Sequence, residues 1–211
     1  MADKFNSYRQ YNVIDFWHDI CLEEGTLRHY ERGDYFFREG EFAPYLGYIS
    51  KGTLKYVAFD DNGEEHVMGL EFTNGFVADF PFSLQTKKAR LSVIATSPSD
   101  IYCISIARMR ELMDSNTDIH KIMEESLSAV FEMVYLRYKD LYTKTPQQRY
   151  KQLITSYPDL FSLFSLRDIA SFLKITPTHL SRLRKNIWLS RFQQMLRKIP
   201  FFIINFAEQS R

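Results

Sequence analysis

The side chains best suited to chemistry in this chain are polar and basic, and they cluster within ten residues of one another. Hydroxyl, imidazole, guanidinium and ammonium groups alternate there with apolar residues, and no nucleophile is paired with a base. Such groups hydrogen-bond to base edges and to phosphate oxygens. The predicted chemistry is therefore recognition of nucleic acid, and the candidate DNA-contacting residues are Thr176, Thr178, His179, Ser181, Arg182, Arg184 and Lys185.

Two short helices are predicted to position these side chains. The first is expected over Leu166–Leu173, with the small Ala170 facing inward so that a second helix can cross closely. Lys174 and Ile175 then form the turn. The segment is typical of a helix-turn-helix, and a plain surface helix hairpin is the alternative.

The second helix has a clear start. Thr176 is a good N-cap, and Pro177 takes the first helical position, where its missing N–H costs nothing. Leu180, Leu183 and Ile187 recur at the spacing of a buried stripe, which leaves the polar residues exposed. Because the first half of such a helix enters the major groove, three residues are expected to meet base edges, namely Thr178, His179 and Arg182.

The distribution of charge favours this interpretation. The whole chain has a net charge of +1, but residues 144–211 hold 12 Lys or Arg against 3 Asp or Glu, a net of +9. Residues 1–143 hold 15 against 23, a net of −8. A basic unit on an acidic one is expected when only the basic unit meets a polyanion.

Composition excludes several other classes of protein. The chain has 211 residues, enough for one large or two small domains, and its composition is that of an ordinary globular protein. No apolar run approaches the roughly 18 residues of a membrane span, and the first ten residues are polar, without a signal-peptide pattern. We therefore expect a cytoplasmic protein with no membrane partner.

Neither metal nor enzyme chemistry is indicated. Two cysteines, Cys21 and Cys103, are too few and too scattered for a disulfide framework or a cysteine-built metal site, and we expect both to be buried. The five histidines show no short metal-ligand spacing. Glu65 beside His66 is more typical of a solvated hairpin edge than of catalytic groups. We predict no cofactor, no metal and no enzymatic activity.

In the N-terminal half the sequence pattern changes from one typical of a helix to one typical of strands. Residues 10–27 have helical periodicity, with Gly25 as a stop, whereas 28–105 consist of short aromatic and β-branched runs separated by turn residues. Asp61-Asn62-Gly63 predicts a tight hairpin. Several short antiparallel strands imply a small sandwich or barrel.

A long helix is predicted over Thr117–Thr143, after a short one in the run ARMRELMDS. It is apolar on two faces and so needs two partners. One partner is its own β domain and the other is predicted to be a second copy of the helix, although both faces could also meet a single intramolecular core. The predicted dimer contacts are Ile119, Met123, Leu127, Val130 and Val134; the second face carries Phe131, Tyr135, Tyr138 and Tyr142.

Thr145-Pro146 starts a further helix by the same cap-then-proline logic, so the linker is only a residue or two long. The expected organisation is a β-roll effector-type domain over 1–116, a dimerisation helix over 117–143 and a DNA-binding domain with an extra tail over 144–211. The segment 188–211 has an apolar run, IPFFIINF, that must be covered or it will associate.

This order of helix, glycine-punctuated β-roll, long helix and helix-turn-helix resembles the Crp/Fnr family of bacterial transcription regulators over roughly residues 10–187. The stretches RGDYFFREGE and GYISKGTLKY resemble the family's β-roll openings, and QQRYKQLI with LRDIASFLKITPTHLSRLRKNI resembles its Bacteroidetes form. The resemblance implies an α+β fold: a double-stranded β-helix of jelly-roll type like a cyclic-nucleotide-binding domain, a dimerisation helix and a winged-helix-like helix-turn-helix domain. It also implies a homodimer that reads a pseudo-palindromic operator in double-stranded DNA and that works with RNA polymerase.

The effector segment departs from the relatives that bind cyclic AMP, which carry a Gly-Glu pair followed by an Arg-Ser pair. Here Phe76 follows Gly75, and Arg90 is separated from Ser92 by a leucine. Arg90 could keep half of a phosphate clamp. Without an acid for the ribose we expect no cyclic-nucleotide binding. The four residues Gly75, Phe76, Arg90 and Ser92 mark the predicted effector pocket, either filled by side chains or suited to a more apolar molecule.

The DNA reader also departs from the family pattern. Lys174 stands where a turn glycine is usual, so a strained or altered backbone is expected there. Where the cyclic-AMP-binding members read bases with Arg, Glu and Arg, this chain has Pro177, Thr178 and Arg182, so only the last agrees. We predict that Arg182 contacts guanine and that the operator differs. A sensing module that has lost DNA binding is the alternative function.

Overall fold

The computed structural model describes residues 5–197. A 3₁₀ turn, Ser7–Gln10, and the helix α1, Val13–Glu24, precede eight strands. The strands are β1 Thr26–Tyr30, β2 Tyr35–Phe37, β3 Tyr45–Lys51, β4 Leu54–Phe59, β5 Glu65–Glu71, β6 Phe76–Val77, β7 Ser92–Ala95 and β8 Ser99–Ser105. The predicted first helix and the predicted strand region are both found.

The strands form two four-stranded antiparallel sheets that face each other. Their orders are β1-β8-β3-β6 and β2-β7-β4-β5. Between them lies a fully apolar core that includes Ile49, Leu54 and Ile101, all with no exposed surface. The predicted hairpin joins β4 to β5, and Gly63 supplies the positive φ of 77° that its turn requires. The β-sandwich expectation is confirmed.

Both cysteines lie inside the molecule as unpaired thiols. Cys21 belongs to the core between α1 and the sheet, and Cys103 to the core between the sheets. Burial raises the pKa of Cys21 to about 12 and that of Cys103 to about 11. Neither is a reactive thiolate near neutral pH, and both serve as small apolar residues.

Six helices follow the strands. They are α2 Ile106–Ser115, α3 Thr117–Thr143, α4 Pro146–Ser156, α5 Leu160–Leu163, α6 Leu166–Phe172 and α7 Pro177–Arg197. The bounds of α3 are those predicted, and Thr145 starts α4 with a complete capping box closed by Gln148. The short α5 was not predicted, because its four residues are too few to show a helical period.

The C-terminal unit lacks one predicted feature. α7 itself continues as one helix to Arg197, past Ile187, the last residue of the predicted apolar stripe. Residues 144–197 contain helices and no strand, so the expected wing is not found in that range. Of the predicted apolar tail at 188–211, residues 198–211 lie outside the described residues.

The face of α3 that was predicted to contact a second copy is partly buried inside the same chain. Ile119 and Met123 are buried beside α1 and α2, 9% and 4% exposed. They are therefore unavailable to a second copy, and the predicted dimer stripe is wrong at these positions. Leu127 and Val130 are half-buried against the same side, and only Val134 of that set is exposed. The exposed apolar surface is instead the aromatic stripe Phe131, Tyr135, Tyr138 and Tyr142, together with Val134.

The C-terminal helices dock on the outer face of the second sheet. Lys55 of β4 contacts the Asp168 carboxylate of α6 at 2.7 Å and Glu65 of β5 at 2.5 Å. The backbone N–H of Val67 donates to Ser171 Oγ at 2.9 Å. Burial alone would lower the pKa of Lys55, but the hydrogen bonds to the two carboxylates outweigh it and hold that pKa above its ordinary value. The contact joins the two units through a shielded ion pair.

The N-terminal segment forms a wedge between the two units, which the sequence did not predict. Phe5 packs edge-on against Phe72 of the β domain and against Tyr157 and Phe172 of the helical unit. The Arg137 guanidinium lies 4.3 Å above the Phe5 ring. Phe72 and Tyr157 stack face to face with ring centroids 3.5 Å apart. The wedge therefore shares one apolar cluster with the β domain and the C-terminal helices.

Replacing Lys55 with Met tests the docking ion pair. The change removes the cation that Asp168 and Glu65 share while those carboxylates stay largely shielded, so we expect the free energy of unfolding to fall by about 2 to 3 kcal/mol. Lys121→Met is the matched control, because its partner Asp118 lies 3.4 Å away with both side chains well exposed. Its expected effect is below about 1 kcal/mol. Equal losses in urea denaturation of the two variants would show that the docking pair contributes nothing special.

Candidate DNA-reading surface and effector pocket

The turn between α6 and α7 has a left-handed residue at its centre. Lys174 has a φ of 55°, the region that glycine adopts without strain. The N–H groups of Lys174 and Ile175 donate to Ser171 and Ala170 at 2.9 and 3.0 Å, which closes the end of α6. The altered backbone predicted for Lys174 is confirmed.

A cap and an apolar stripe orient α7. The Thr176 hydroxyl accepts from the His179 N–H at 3.2 Å, as an N-cap should. Leu180 is fully buried and Leu183 is 7% exposed, and both belong to one core cluster with Ile169 and other α6 residues. The side of α7 opposite this stripe is turned to solvent.

All seven predicted DNA-contacting residues are exposed, but they do not share one direction. Thr178, Arg182 and Lys185 recur at i, i+4 and i+7, directly opposite the buried stripe, with Ser181 beside them. His179 and Arg184 flank the stripe, and the Arg184 guanidinium lies 4.6 Å from the ring centroid of Phe161. Thr176 stands at the helix start. The central strip is therefore formed by Thr178, Ser181, Arg182 and Lys185.

All the formally charged residues of α7 are positive. The α7 sequence holds five Lys or Arg and no Asp or Glu. On α6, Asp168 is buried and its charge is taken up by Lys55 and by the Ser165 hydroxyl, which donates to it at 2.5 Å. Burial would raise the pKa of Asp168, but these hydrogen bonds outweigh it and hold that pKa below its ordinary value. The one acid of α6 thus faces the β domain instead of the solvent face of α7.

The strained turn gives a testable expectation. Lys174→Gly should raise the free energy of unfolding by about 0.5 to 1 kcal/mol, because relief of the left-handed strain exceeds the added entropy of glycine in the unfolded chain. Lys185→Gly, the same change inside α7, should lower it by about 1 kcal/mol. The measurement is urea denaturation of both variants beside the unmodified protein. A loss of stability in Lys174→Gly would contradict the strain.

A second candidate site is a cavity of about 310 Å³ between the β domain and α3. Its walls come from the N-terminal turn, α1, β3 to β6, the segment that links β6 to β7, and α3. Aromatic and aliphatic side chains provide most of the lining, among them Trp17, Phe76, Phe80 and Val130. Its volume lies at the lower end of the range typical of small-molecule sites.

Two of the four predicted pocket residues line this cavity and two do not. Phe76 and Arg90 are in its wall. Ser92 is 2% exposed, and its hydroxyl accepts from the Glu39 N–H at 2.9 Å, so it is a structural residue. Gly75 packs so closely that a Cβ there would lie 2.8 Å from Glu71 Oε2. The prediction of pocket residues is therefore wrong for Gly75 and Ser92, since sequence matching does not show that Gly75 packs against Glu71 or that the Ser92 hydroxyl is bonded inside the β domain.

Two acids in the cavity wall were missed by sequence reasoning. Glu71 is 5% exposed, and its Oε2 accepts from Asn6 Nδ2 at 2.8 Å and from the Tyr8 hydroxyl at 3.1 Å. Burial, and then the Glu71 charge, hold the pKa of Tyr8 well above its ordinary value, so Tyr8 stays a donor. A buried acid at the end of an apolar strand was the signal that could have marked Glu71.

Asp79 is the other missed acid, and it lacks a partner on one side. It is 7% exposed, and its Oδ2 has no hydrogen-bond partner among residues 5–197. Burial raises the pKa of Asp79, against the opposing backbone hydrogen bond and charge of Arg90. The Arg90 side chain itself is exposed, 5.9 Å from the Phe82 ring. The cavity therefore presents a buried acceptor whose neighbouring cation, Arg90, is exposed.

A group of metal-binding residue types occurs at the β4–β5 hairpin. Asp60, Glu64 and His66 bring their ligand atoms within 4.8 Å of one another. The Asp60 carboxylate already accepts from the N–H groups of Asn62 and Glu64, both at 2.9 Å. These bonds shape the turn, as expected of Asp in that position, and we read the group as part of the hairpin.

Comparison with known proteins agrees with this architecture. Residues 27–116 match the cyclic nucleotide-binding domain family. The matched range begins inside β1 and ends one residue after α2. No curated protein sequence matches the chain. No helix among residues 5–197 is long and apolar enough to cross a membrane.

Solved structures with the same fold include several regulators. FixK2 from Bradyrhizobium japonicum is 15% identical with a TM-score of 0.68, over 79% of this chain and 85% of that one. A Crp/Fnr-family regulator from Eubacterium rectale is 13% identical with a TM-score of 0.66, over 85% and 89%. The c-di-GMP-responsive regulator CLP of Xanthomonas campestris is 17% identical with a TM-score of 0.61, over 83% and 92%. The chain has the fold of Crp/Fnr regulators, as its sequence predicted.

Proposed function

We propose that this protein is a homodimeric, sequence-specific DNA-binding transcription regulator of the Crp/Fnr type, without enzymatic activity. The observation that carries the proposal is the central strip of α7, where Thr178, Ser181, Arg182 and Lys185 face solvent opposite Leu180. The strip combines base-edge donors with positive charge on the first turns of a helix, the part that enters a major groove. By likeness to the family we also propose RNA polymerase as a partner.

Arg182 is the proposed base reader. It lies near the middle of the strip, and its guanidinium can donate two parallel hydrogen bonds to guanine N7 and O6. Lys185 and Ser181 are suited to phosphate oxygens on either side, and Thr176 to a phosphate at the helix start. Arg184, which lies over Phe161, is better suited to a flanking phosphate than to a base.

A second copy of the chain is the proposed partner of α3. Phe131 is 70% and Tyr142 is 75% exposed, although both lie on one face of a helix whose other face is buried from Ile119 to Met133. An aromatic stripe of this length on a helix typically marks a protein interface. Two chains paired along α3 would carry two α7 helices, spaced for half-sites about one helical turn of DNA apart.

We propose that the β domain does not sense cyclic AMP. Of the two cations that line the cavity, Arg90 is exposed and Arg137 is already bonded to Phe5 and Asn6, and Ser92 is used inside the β domain. A cyclic phosphate is an anion and would be placed near the Asp79 carboxylate, which is unfavourable in a shielded site. We therefore propose that the β domain binds an effector of another chemical class and that this effector controls DNA binding.

The experiment that tests the DNA-reading proposal is selection of bound sequences from random duplex DNA at two salt concentrations. We expect an inverted repeat to be enriched, with affinity falling steeply as salt rises because bound counterions are released. Absence of any enriched sequence at either salt would favour the alternative, a sensing module that has lost DNA binding.

Arg182→Ala tests the base contact. On the selected operator we expect a loss of about 1 to 3 kcal/mol of binding free energy and a flattened preference at one base pair in each half-site. Lys51→Ala, which removes a positive charge from an exposed end of β3, is the control and should leave the preference unchanged. Fluorescence anisotropy on operator variants measures both. Full preference in Arg182→Ala would remove the assignment.

The double substitution Phe131→Asp with Tyr135→Asp tests the dimer. Four charges facing each other across a paired apolar stripe should abolish dimerisation at micromolar concentration, because each would be desolvated without a partner. Leu27→Asp places one such charge at an apolar site on β1, 52% exposed, and should stay dimeric. Sedimentation velocity reports the state of each variant. A dimer that survives the double change would mean that α3 is not the interface.

A further inference from the structure

The cavity between the β domain and α3 has a polar composition that restricts its ligand. Four charged residues line it: Glu71, Asp79, Arg90 and Arg137. Their formal charges cancel, and the remaining wall is mainly aromatic and aliphatic. A ligand with a net charge would therefore find no surplus of opposite charge in a site that shields it from water.

Two of these charged groups are already engaged by the protein. Glu71 holds Asn6 and Tyr8 through its Oε2 atom, and Arg137 donates to the carbonyl of Phe5 at 3.0 Å and to the side chain of Asn6. These bonds connect the N-terminal turn to β5 and α3. They form a structural frame at one end of the cavity.

Asp79 is the exception. It is more than nine-tenths buried, it lines the cavity, and its Oδ2 has no partner among the described residues. Buried acceptors in folded proteins are almost always satisfied, so an unsatisfied one in a cavity wall points to a donor that is supplied from outside the chain. The neighbouring wall, with Phe80 and Phe82, suits a flat apolar body.

We propose that this cavity binds an uncharged, aromatic or similarly apolar small molecule that donates one hydrogen bond to Asp79. The inference deepens the proposed function by naming the chemical class of its effector. Cyclic nucleotides fall outside this class, because their phosphate is an anion, Arg90 is exposed and the Arg137 guanidinium already bonds to Phe5 and Asn6. Hydrogen-bond donation to Asp79 fixes the orientation, and the aromatic wall supplies most of the affinity.

The probe for this proposal is N-phenyl-1-naphthylamine, which is uncharged, has two aromatic systems and carries a single N–H. Its fluorescence rises in apolar surroundings, so titration of the full-length protein gives the affinity and stoichiometry directly. The matched compound is 1-phenoxynaphthalene, in which an ether oxygen replaces the N–H, and its affinity is read by displacement of the probe. Both are measured on the unmodified protein and on Asp79→Leu.

We expect one probe molecule per chain and an affinity about tenfold or more above that of the ether compound, since only the amine can donate to the carboxylate. In Asp79→Leu this preference should vanish, while the ether compound binds at least as well as before. Leu27→Asp, on the exposed strand β1 and outside the cavity wall, should leave probe binding unchanged, which separates the cavity from the rest of the surface.

Three results would overturn the proposal: no saturable probe binding, equal affinity for amine and ether on the unmodified protein, or displacement of the probe by micromolar cyclic AMP. The amine and ether comparison needs no variant, so it remains decisive if Asp79→Leu fails to fold. These outcomes are independent of DNA selection. A protein that enriches no DNA sequence can still bind the probe, and a protein that reads an operator can still fail to bind it.

Discussion

The helix α3 has to bury apolar residues on more than one face, and this requirement organises the rest of the molecule. One face is covered by its own chain, where the Trp17 indole donates to Ser126 at 3.0 Å and Met133 packs with Tyr8. Because that side is filled by α1, α2 and the β domain, the aromatic stripe on the opposite side stays exposed and is available for the proposed contact with another chain. The end of the same helix carries the C-terminal unit after only two residues, Lys144 and Thr145. The helix α3 therefore carries part of the cavity wall, the proposed dimer contact and the C-terminal unit.

The N-terminal wedge ties these parts together in a second way. Asn6 hydrogen-bonds to the Glu71 carboxylate of β5 and accepts from Arg137 of α3, and the adjacent Phe5 ring packs against α6. Glu71 also lines the cavity. A buried carboxylate with several donors is fixed tightly in place, because any movement leaves charge unsatisfied in a shielded site. The C-terminal unit thus rests on residues that also shape one end of the effector cavity.

The helices and turns could be predicted because they depend on neighbouring residues. The sites could not, because they depend on contacts between residues far apart in the sequence. The bounds of α3, the Thr145 capping box, the hairpin turn at Gly63 and the left-handed Lys174 were predictable because each depends on a few neighbouring residues. The docking of Lys55 on Asp168 joins residues 113 positions apart, and no periodicity encodes it. Ile119 and Met123 were assigned to the dimer because helical spacing identifies an apolar face without saying which partner covers it. Asp79 was not predicted as a site residue, because the burial of its carboxylate depends on the fold around it.

The position of the cavity on α3 provides a geometric route from the proposed effector binding to the proposed DNA reading. Val130, Met133 and Val134 contribute to the cavity wall, and Val134 is 52% exposed on the side that continues into the aromatic stripe. A ligand that fills the cavity must press on the same turns of α3 that carry Phe131 and Tyr135. Packed helix interfaces respond to such pressure by small shifts of about 1 to 2 Å, since interiors are too dense to absorb it locally. With a two-residue linker and the Lys55–Asp168 contact holding the C-terminal unit, such a shift would change the spacing of two α7 helices in a dimer. The distance between the two α7 helices must match the half-site spacing of the operator. Control of this kind therefore requires no movement within the C-terminal unit itself.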